Sequence, residues 1–170
     1  SLVRAIIMLG MNTVKNLALS SAVMGLMSGE KNFIKLNSDM FWEHSLCTGI
    51  IAKKIAADKF SVRGGLEEYF ITGLLHDIGK IPLISCFPKE YTDMVNKRSA
   101  GQYRSINEAE KDYFGMDHTG TGQLIADSWK LGDPVKSVIV SHHDADSVDE
   151  KYKKMTYTIV MADYFANLYG

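Results

Sequence analysis

The segment GLLHDIGK, residues 73–80, places an adjacent histidine and aspartate, His76 and Asp77, within a mostly apolar stretch. Apolar residues recur there at the i, i+3, i+4 and i+7 positions that are typical of an amphipathic helix. We therefore predict one helix from about Leu66 to Ile78. Gly79 is expected to end this helix, because glycine tolerates the backbone conformation that follows a last helical turn.

On the predicted helix, His76, Asp77 and Lys80 share the side opposite the apolar stripe. A face exposed to solvent is the ordinary explanation for such a polar side. Gly73 lies on the same side, and its missing side chain would let another part of the protein approach closely. The alternative is therefore a site at which other elements meet the His-Asp pair.

Four further histidines follow or precede this segment: His44, His118, His142 and His143. The first three share helical faces with apolar residues, where a lone histidine is more often part of the core than a ligand. Three such residues beside a His-Asp pair argue against independent core roles. His143 points about 100° away from His142, so it can support a ligand from outside the metal's own contacts, contact a substrate, or be exposed.

Asp163 interrupts an apolar stretch near the end of the chain. A buried carboxylate costs several kcal/mol unless it is paired or bound to a metal, so a hydrogen bond to a protein donor is the alternative to a metal here. Imidazole nitrogens and carboxylates bind divalent Fe, Mn, Ni and Zn. The sequence predicts one or two such ions, with candidate ligands His44, His76, Asp77, His118, His142, His143 and Asp163.

The 170-residue chain has a net charge of -1 and is 46% hydrophobic, a composition typical of one soluble globular domain, here residues 1–170. The near-neutral charge gives no electrostatic basis for nucleic-acid binding. No apolar run approaches the ~20 residues of a membrane span. Cys47 and Cys86 are too few for a disulfide framework. We therefore expect a cytoplasmic protein with neither a nucleic-acid nor a membrane partner.

Helical spacing extends over almost the whole chain, which predicts an all-α fold. Capping residues set several of the boundaries, among them a capping box at Ser105 and an N-cap at Asp117. The predicted helices are Leu2–Leu9, Thr13 to about Met27, Ser38 or Asp39 to about Phe60, about Leu66 to Ile78, Pro88 to about Asn96, Ser105 to Gly115, Asp117 to Lys130, Asp133 to about His143, and about Tyr152 to Tyr169.

These residues resemble the HD superfamily of metal-dependent phosphohydrolases, and more closely its HDOD branch, a bacterial domain associated with signalling. The resemblance implies an HD-domain-like helical bundle whose first helices are missing, as expected of a fragment of a longer chain. It rests on the segments Ala5–Gly10 with Val14 and Leu17, Phe41–Ser45, Gly73–Lys80, Gly115–His118, Trp129–Leu131, Ser141–His143 and Ala162–Asp163.

The resemblance also implies roles for individual residues. It assigns ligands to two ions: His44, His76, Asp77 and Asp163 for the first, and Asp77, His118 and His142 for the second. Asp77 and Lys80 would be the catalytic residues, with Lys80 offsetting phosphate charge. An exposed lysine that complements the helix dipole explains Lys80 equally well.

Three functions fit this pattern, and the favoured interpretation is a signalling domain that retains the metal site, with hydrolysis as its plausible activity. They are hydrolysis of a nucleotide or other phosphate ester, an inactive signalling module that contacts a protein partner, and a di-iron oxygenase on the same ligands. The related cyclic-dinucleotide phosphodiesterases carry a Gly-Tyr-Pro motif after the paired histidines, which residues 144–148 lack. The expected partners are thus a phosphate-containing small molecule of another kind and a signalling protein.

Overall fold

The structure is a computed structural model. It describes residues 35–60 and 65–169, together with the single positions Ile7, Gly10, Val14, Ala18 and Ser21. The two helices predicted before residue 28, and the entry segment of the family resemblance, otherwise lie outside the described residues.

The described part of the chain contains helices and turns and no strand, which confirms the predicted all-α class. Within it, no single helix has the length and apolar composition of a membrane span; residues 66–99 meet the criterion only as a pair of helical segments separated by a sharp bend. The elements in chain order are α1 (Lys35–Phe60), α2 (Leu66–Leu75), α3 (Lys80–Cys86), α4 (Pro88–Ser99), α5 (Ile106–Phe114), α6 (His118–Ser128), α7 (Asp133–Ser141), a 3-10 turn (Ala145–Ser147) and α8 (Glu150–Tyr169).

The chain divides into two compact units. The first unit comprises Ser1–Leu75 and Thr158–Gly170, and the second unit comprises His76–Tyr157. The prediction that residues 1–170 form a single domain stays a prediction.

In the first unit, α1 and α2 pack against each other through two glycines. A Cβ added to Gly73 would lie 2.7 Å from the Cα of Gly49, and one added to Gly49 would lie 2.7 Å from the carbonyl oxygen of Phe70. Neither position has room for a side chain, because backbone occupies the space. The close approach expected at Gly73 is therefore made by α1.

In the second unit, α3, α4 and α5 enclose a core that contains Leu83, Tyr91, Met94 and Ala109. The helices α6 and α7 pack together where a Cβ on Gly122 would lie 2.6 Å from Ile139.

Three predicted helix boundaries are confirmed in atomic detail. Ser105 accepts a hydrogen bond from the backbone N–H of Glu108 at 3.1 Å, and Gly115 ends α5 with a φ of 76°. Asp117 accepts from the N–H of Gly120 at 3.1 Å and so caps α6. Because α6 begins at His118, the cap places this histidine in the first turn of the helix.

The predicted C-terminal boundary of α2 is wrong. Helix α2 ends at Leu75 rather than Ile78, and the residues His76–Gly79 form a turn before α3 begins at Lys80. The backbone N–H of Lys80 donates to the carbonyl of Asp77 at 2.9 Å, a bond of i to i+3 type that tightens the chain. The His-Asp pair consequently lies on a turn between two helices and not on a helix face.

Candidate metal centre

The turn His76–Gly79 buries the His-Asp pair. His76 is 1% exposed and Asp77 is 2% exposed, so the explanation of a polar face in solvent is wrong. A carboxylate without water around it must find its partners within the protein or in a bound ion. Those partners come from α3, α6 and α7.

Gly79 brings the start of α6 against this turn. A Cβ at Gly79 would lie 1.9 Å from the carbonyl oxygen of His118 and 2.5 Å from the backbone nitrogen of Gly122. The hydroxyl of Thr121 donates to the carbonyl of Gly79 at 2.8 Å. Only a glycine allows this contact, and the contact carries the His118 side chain to Asp77.

Three imidazole nitrogens and one carboxylate oxygen converge in the second unit. The Nε2 atoms of His118 and His142 lie 3.3 and 3.5 Å from Asp77 Oδ1. His118 Nε2 also lies 3.4 Å from His142 Nε2 and 3.0 Å from the Nε2 of His143. One ligand atom from each of these four residues lies within 4.8 Å of the others.

The other ring nitrogens identify which tautomers face this cluster. Nδ1 of His142 lies 3.1 Å from the carbonyl oxygens of Val138 and Ile139, which can only accept, so Nδ1 carries the proton. Nδ1 of His118 lies 2.5 Å from a carboxylate oxygen of Glu110 and is protonated for the same reason. In the neutral rings, both Nε2 atoms are therefore acceptors with a free lone pair.

A divalent metal ion fits this arrangement. Asp77 Oδ1 is buried and has no hydrogen-bond partner of ordinary geometry among the residues that the structure describes. The nearest polar atoms, Nε2 of His118 and Nε2 of His142, are acceptors as well. Acceptors that face one another repel unless a cation lies between them, and imidazole with carboxylate suits Zn, Fe, Mn and Ni. The buried His/Asp cluster could thus hold a metal ion.

The charges around Asp77 keep its carboxylate ionised. Burial alone would raise its pKa, but the ammonium of Lys80 and the ring of His76 outweigh burial and hold the pKa of Asp77 well below its usual range. The ammonium of Lys80 bonds Asp77 Oδ2, and His76 Nε2 lies 3.5 Å from the same oxygen. The opposite oxygen is thereby left for the imidazoles or an ion.

Lowered pKa values favour the neutral form, which a metal needs, in His142 and His143. Burial lowers the pKa of His142, and burial followed by the charges of His142 and His118 lowers the pKa of His143 to about 3. His143 is exposed, whereas His118 and His142 are buried. Of the alternatives open for His143, a place at the open edge of the cluster agrees with its position 3.0 Å from His118.

Glu110 is a residue of the site that the sequence analysis missed. It is fully buried, and its Oε2 accepts from the backbone N–H of His118 at 2.8 Å as well as facing Nδ1 of the same residue. A signal was present in the sequence. Ile106, Ala109 and Tyr113 follow the helical spacing of a buried stripe, and Glu110 occupies a position of that stripe where an apolar residue is expected.

His44 and Asp163 form a separate pair in the first unit. His44 Nε2 lies 2.9 Å from Asp163 Oδ1, with side chains that are 21% and 24% exposed. The same oxygen accepts from Nδ2 of Asn167 at 3.0 Å. Asp163 is therefore half-buried rather than fully buried, and protein donors already contact it. Its assignment to a metal together with His44, His76 and Asp77 stays a prediction.

The chain is similar to several known proteins. A protein of uncharacterized function from Treponema pallidum (strain Nichols) is 26% identical over 124 residues, which are 72% of this chain and 23% of that protein. An HDOD domain protein of unknown function from Geobacter sulfurreducens is 29% identical with a TM-score of 0.66, over 76% of this chain and 43% of that one. A candidate phosphohydrolase from Shewanella amazonensis SB2B is 27% identical with a TM-score of 0.72, over 96% and 57% of the two chains.

The MmoQ response regulator of Methylococcus capsulatus (strain Bath) has a TM-score of 0.61 at 18% identity, over 77% of this chain and 50% of that one, which shows a shared fold alone. The chain spans less than two thirds of the length of each of these relatives. The model of the HDOD domain family matches residues 1–145, most of the chain. With the all-α fold and the buried His/Asp cluster, this match shows that the chain belongs to the HDOD family.

Proposed function

We propose that this HDOD domain holds a divalent transition metal ion at Asp77, His118, His142 and His143, and that the metal centre hydrolyses a phosphate ester in a bacterial signalling protein. The observation that carries the proposal is the convergence of Asp77 Oδ1 with acceptor nitrogens of His118 and His142. An acceptor-only cluster in a buried place needs a cation.

The protein's own groups support hydrolysis at such a centre. When bound, the ion would act as a Lewis acid and would lower the pKa of a bound water to near neutrality. Asp77 would hold the ion through one oxygen while Lys80 bonds the other. Lys80 is 22% exposed, so its ammonium can leave the carboxylate to offset the charge of a phosphoryl group. The similarity to the candidate phosphohydrolase of Shewanella amazonensis supports the same reaction class.

The first test is the metal itself. Protein purified without chelator, and then reloaded separately with Fe, Mn, Ni and Zn, is analysed for metal content. We expect at least one equivalent of one of these metals. Binding should weaken only at a pH well below the ordinary histidine pKa of about 6.5, because burial lowers the pKa of His142 and a protonated imidazole cannot be a ligand. Less than about a tenth of an equivalent under every condition would refute the proposal.

The second test is the reaction. The metal-loaded protein is assayed against a panel of phosphomonoesters and phosphodiesters, and Asp77→Ala is expected to abolish cleavage. Lys80→Met should retain the metal but lose turnover, because it removes only the cation that meets phosphate. A loss of only a fewfold in Asp77→Ala would mean that the activity belongs to a contaminant.

The same panel separates the competing functions. A metal-replete protein without any phosphatase activity would favour the signalling module that acts through a protein partner. Consumption of oxygen by the iron-loaded form, with an organic substrate oxidised, would favour the di-iron oxygenase.

A further inference from the structure

The carboxylate of Glu110 lies where it can control the ring of His118. We propose that Glu110 is a positioning residue of the metal centre: it holds the His118 proton on Nδ1 and thereby presents Nε2 as a bare ligand. The inference rests on the proposed function, which identifies a divalent metal ion as the group that His118 binds. Glu110 itself touches neither an ion nor a substrate.

One carboxylate oxygen of Glu110 accepts two hydrogen bonds from His118. Oε2 accepts from the backbone N–H of His118 at 2.8 Å and lies 2.5 Å from its Nδ1. Both residues are 0% exposed, so water cannot compete for either bond. The backbone bond fixes the position of the His118 main chain, and the ring bond fixes the rotation of the imidazole relative to that main chain.

The position of Glu110 is held from its other side. The hydroxyl of Tyr91 lies 3.4 Å from Oε1, and Tyr91 belongs to the core of the second unit. Tyr91 is on α4, Glu110 on α5 and His118 on α6. The orientation of the ligand is therefore set by the packing of three helices and not by α6 alone.

A histidine ligand whose second N–H meets a carboxylate is more basic and better oriented than one without such a partner. Loss of such a partner typically weakens metal binding about 10–100-fold. The simpler role for Glu110 is to cap α6 by accepting the His118 N–H. Capping alone predicts a loss of stability without any change in the ring of His118, so the two roles are separable.

The test compares Glu110→Gln with Glu108→Gln. Gln at position 110 keeps the shape and an acceptor for the backbone N–H, but removes the charge that favours Nδ1–H. Glu108 lies on the same helix, is exposed and caps α5 by accepting from the N–H of Arg104 at 2.8 Å, a bond that Gln also makes. It is therefore a matched control outside the site.

The first measurement is 15N NMR of the histidine rings in the metal-free proteins, with the His118 signals assigned from His118→Ala. We expect an Nδ1–H tautomer for His118 in the wild type and in Glu108→Gln, and a shift away from it in Glu110→Gln. An unchanged His118 signal in Glu110→Gln, or an Nε2–H tautomer in the wild type, would overturn the inference. Should Glu110→Gln fail to fold, Tyr91→Phe must shift the same signal to a smaller extent, and an unmoved signal would overturn it.

The second measurement is a double-mutant cycle for metal affinity. Glu110→Gln should weaken binding about 10–100-fold in the wild-type background and have no effect in the His118→Ala background, because the effect passes through His118. An equal effect in both backgrounds would assign Glu110 a general structural role and overturn the inference. If the wild type binds no metal, the proposed function fails, and the tautomer measurement still decides the role of Glu110.

Discussion

Two histidine–carboxylate pairs, one in each unit, use opposite ring nitrogens. In the second unit, Glu110 faces Nδ1 of His118, and both side chains are fully buried. In the first unit, Asp163 faces Nε2 of His44, and both side chains are about one-fifth to one-quarter exposed. The same two chemical groups thus leave different atoms of the imidazole for other partners.

The difference shows that a carboxylate beside a histidine can have two effects. It can fix the proton on one ring nitrogen and leave the other as an acceptor for a metal, or it can contact the nitrogen that a metal would need. His118 is the first case, because its Nε2 is an acceptor and faces Asp77 at 3.3 Å. The Nε2 of His44 instead lies 2.9 Å from Asp163, so an ion bound by this nitrogen would replace that contact. Metal binding should therefore depend more steeply on the second unit than on the first.

The largest expected effect is that of Asp77→Asn. The substitution removes the buried charge that faces His118 and His142, so we expect metal affinity to fall at least about a thousandfold, roughly 4 kcal/mol. Isothermal titration of the chelated and repurified protein measures this. Asp112→Asn, which changes an exposed carboxylate of the same unit, is the control and should bind as the wild type does. A loss of about threefold or less in Asp77→Asn would break the comparison.

The next effect is that of Gly79→Ala. Its Cβ would collide with the carbonyl of His118, so α6 must move and the protein should lose about 3 kcal/mol of stability as well as its metal affinity. In Gly120→Ala the nearest atom to the new Cβ is 3.7 Å away, and replacing a helical glycine should be neutral or stabilise by about 0.5–1 kcal/mol. Urea unfolding of both variants measures the contrast. Equal stabilities would show that α6 does not rest on Gly79.

A smaller effect is expected from Asp163→Asn. If Asp163 exchanges its protein donors for an ion, the variant should bind metal on the order of tenfold more weakly, about 1.4 kcal/mol. Its metal-free form should then be as stable as the metal-free wild type, or more so. Thermal melts with and without chelator decide this. Equal destabilisation in both states, with unchanged affinity, would assign Asp163 a structural role as a partner of protein groups such as His44 and Asn167.

The smallest effect is the pH dependence that burial gives to His142. Its folded pKa lies below the ordinary value of about 6.5, so the unfolded chain binds a proton that the folded protein rejects. Stability of the metal-free protein should therefore fall as pH drops below about 6.5, with His142 contributing at most about 1.4 kcal/mol per pH unit. Urea unfolding at about pH 7.5 and about pH 5.5 should show a shallower loss in His142→Asn. Identical losses would mean that His142 does not carry the effect.

Helix boundaries were predictable from sequence where a local contact sets them. The capping box at Ser105, the left-handed Gly115 and the cap at Asp117 each involve residues a few positions apart. The end of α2 was missed by three residues. There the apolar spacing continues through Ile78, but the chain turns so that Gly79 can meet the start of α6, a contact between residues that are distant in sequence.

The resemblance likewise placed Asp77, His118 and His142 together, as the structure does, while their role as metal ligands stays a prediction. The chemistry of His and Asp in an apolar setting, and the resemblance to the HDOD branch, are properties of the sequence. Neither property reveals that Glu110 contacts the ring of His118. In the sequence, Glu110 is only one polar residue within a stripe of apolar residues on a helix.

The sequence by itself determined the helical class and the main caps, because these depend on periodicity and on local hydrogen bonding. Side-chain chemistry indicated the candidate metal-ligating residue types, and the resemblance of the motifs indicated the family. Only the tertiary structure decided that the His-Asp pair lies on a turn, that Lys80 bonds Asp77, and which nitrogen of each imidazole faces inward. Those facts depend on how α3, α5, α6 and α7 pack, and a ring nitrogen is chosen by whichever acceptor the packing places beside the other one.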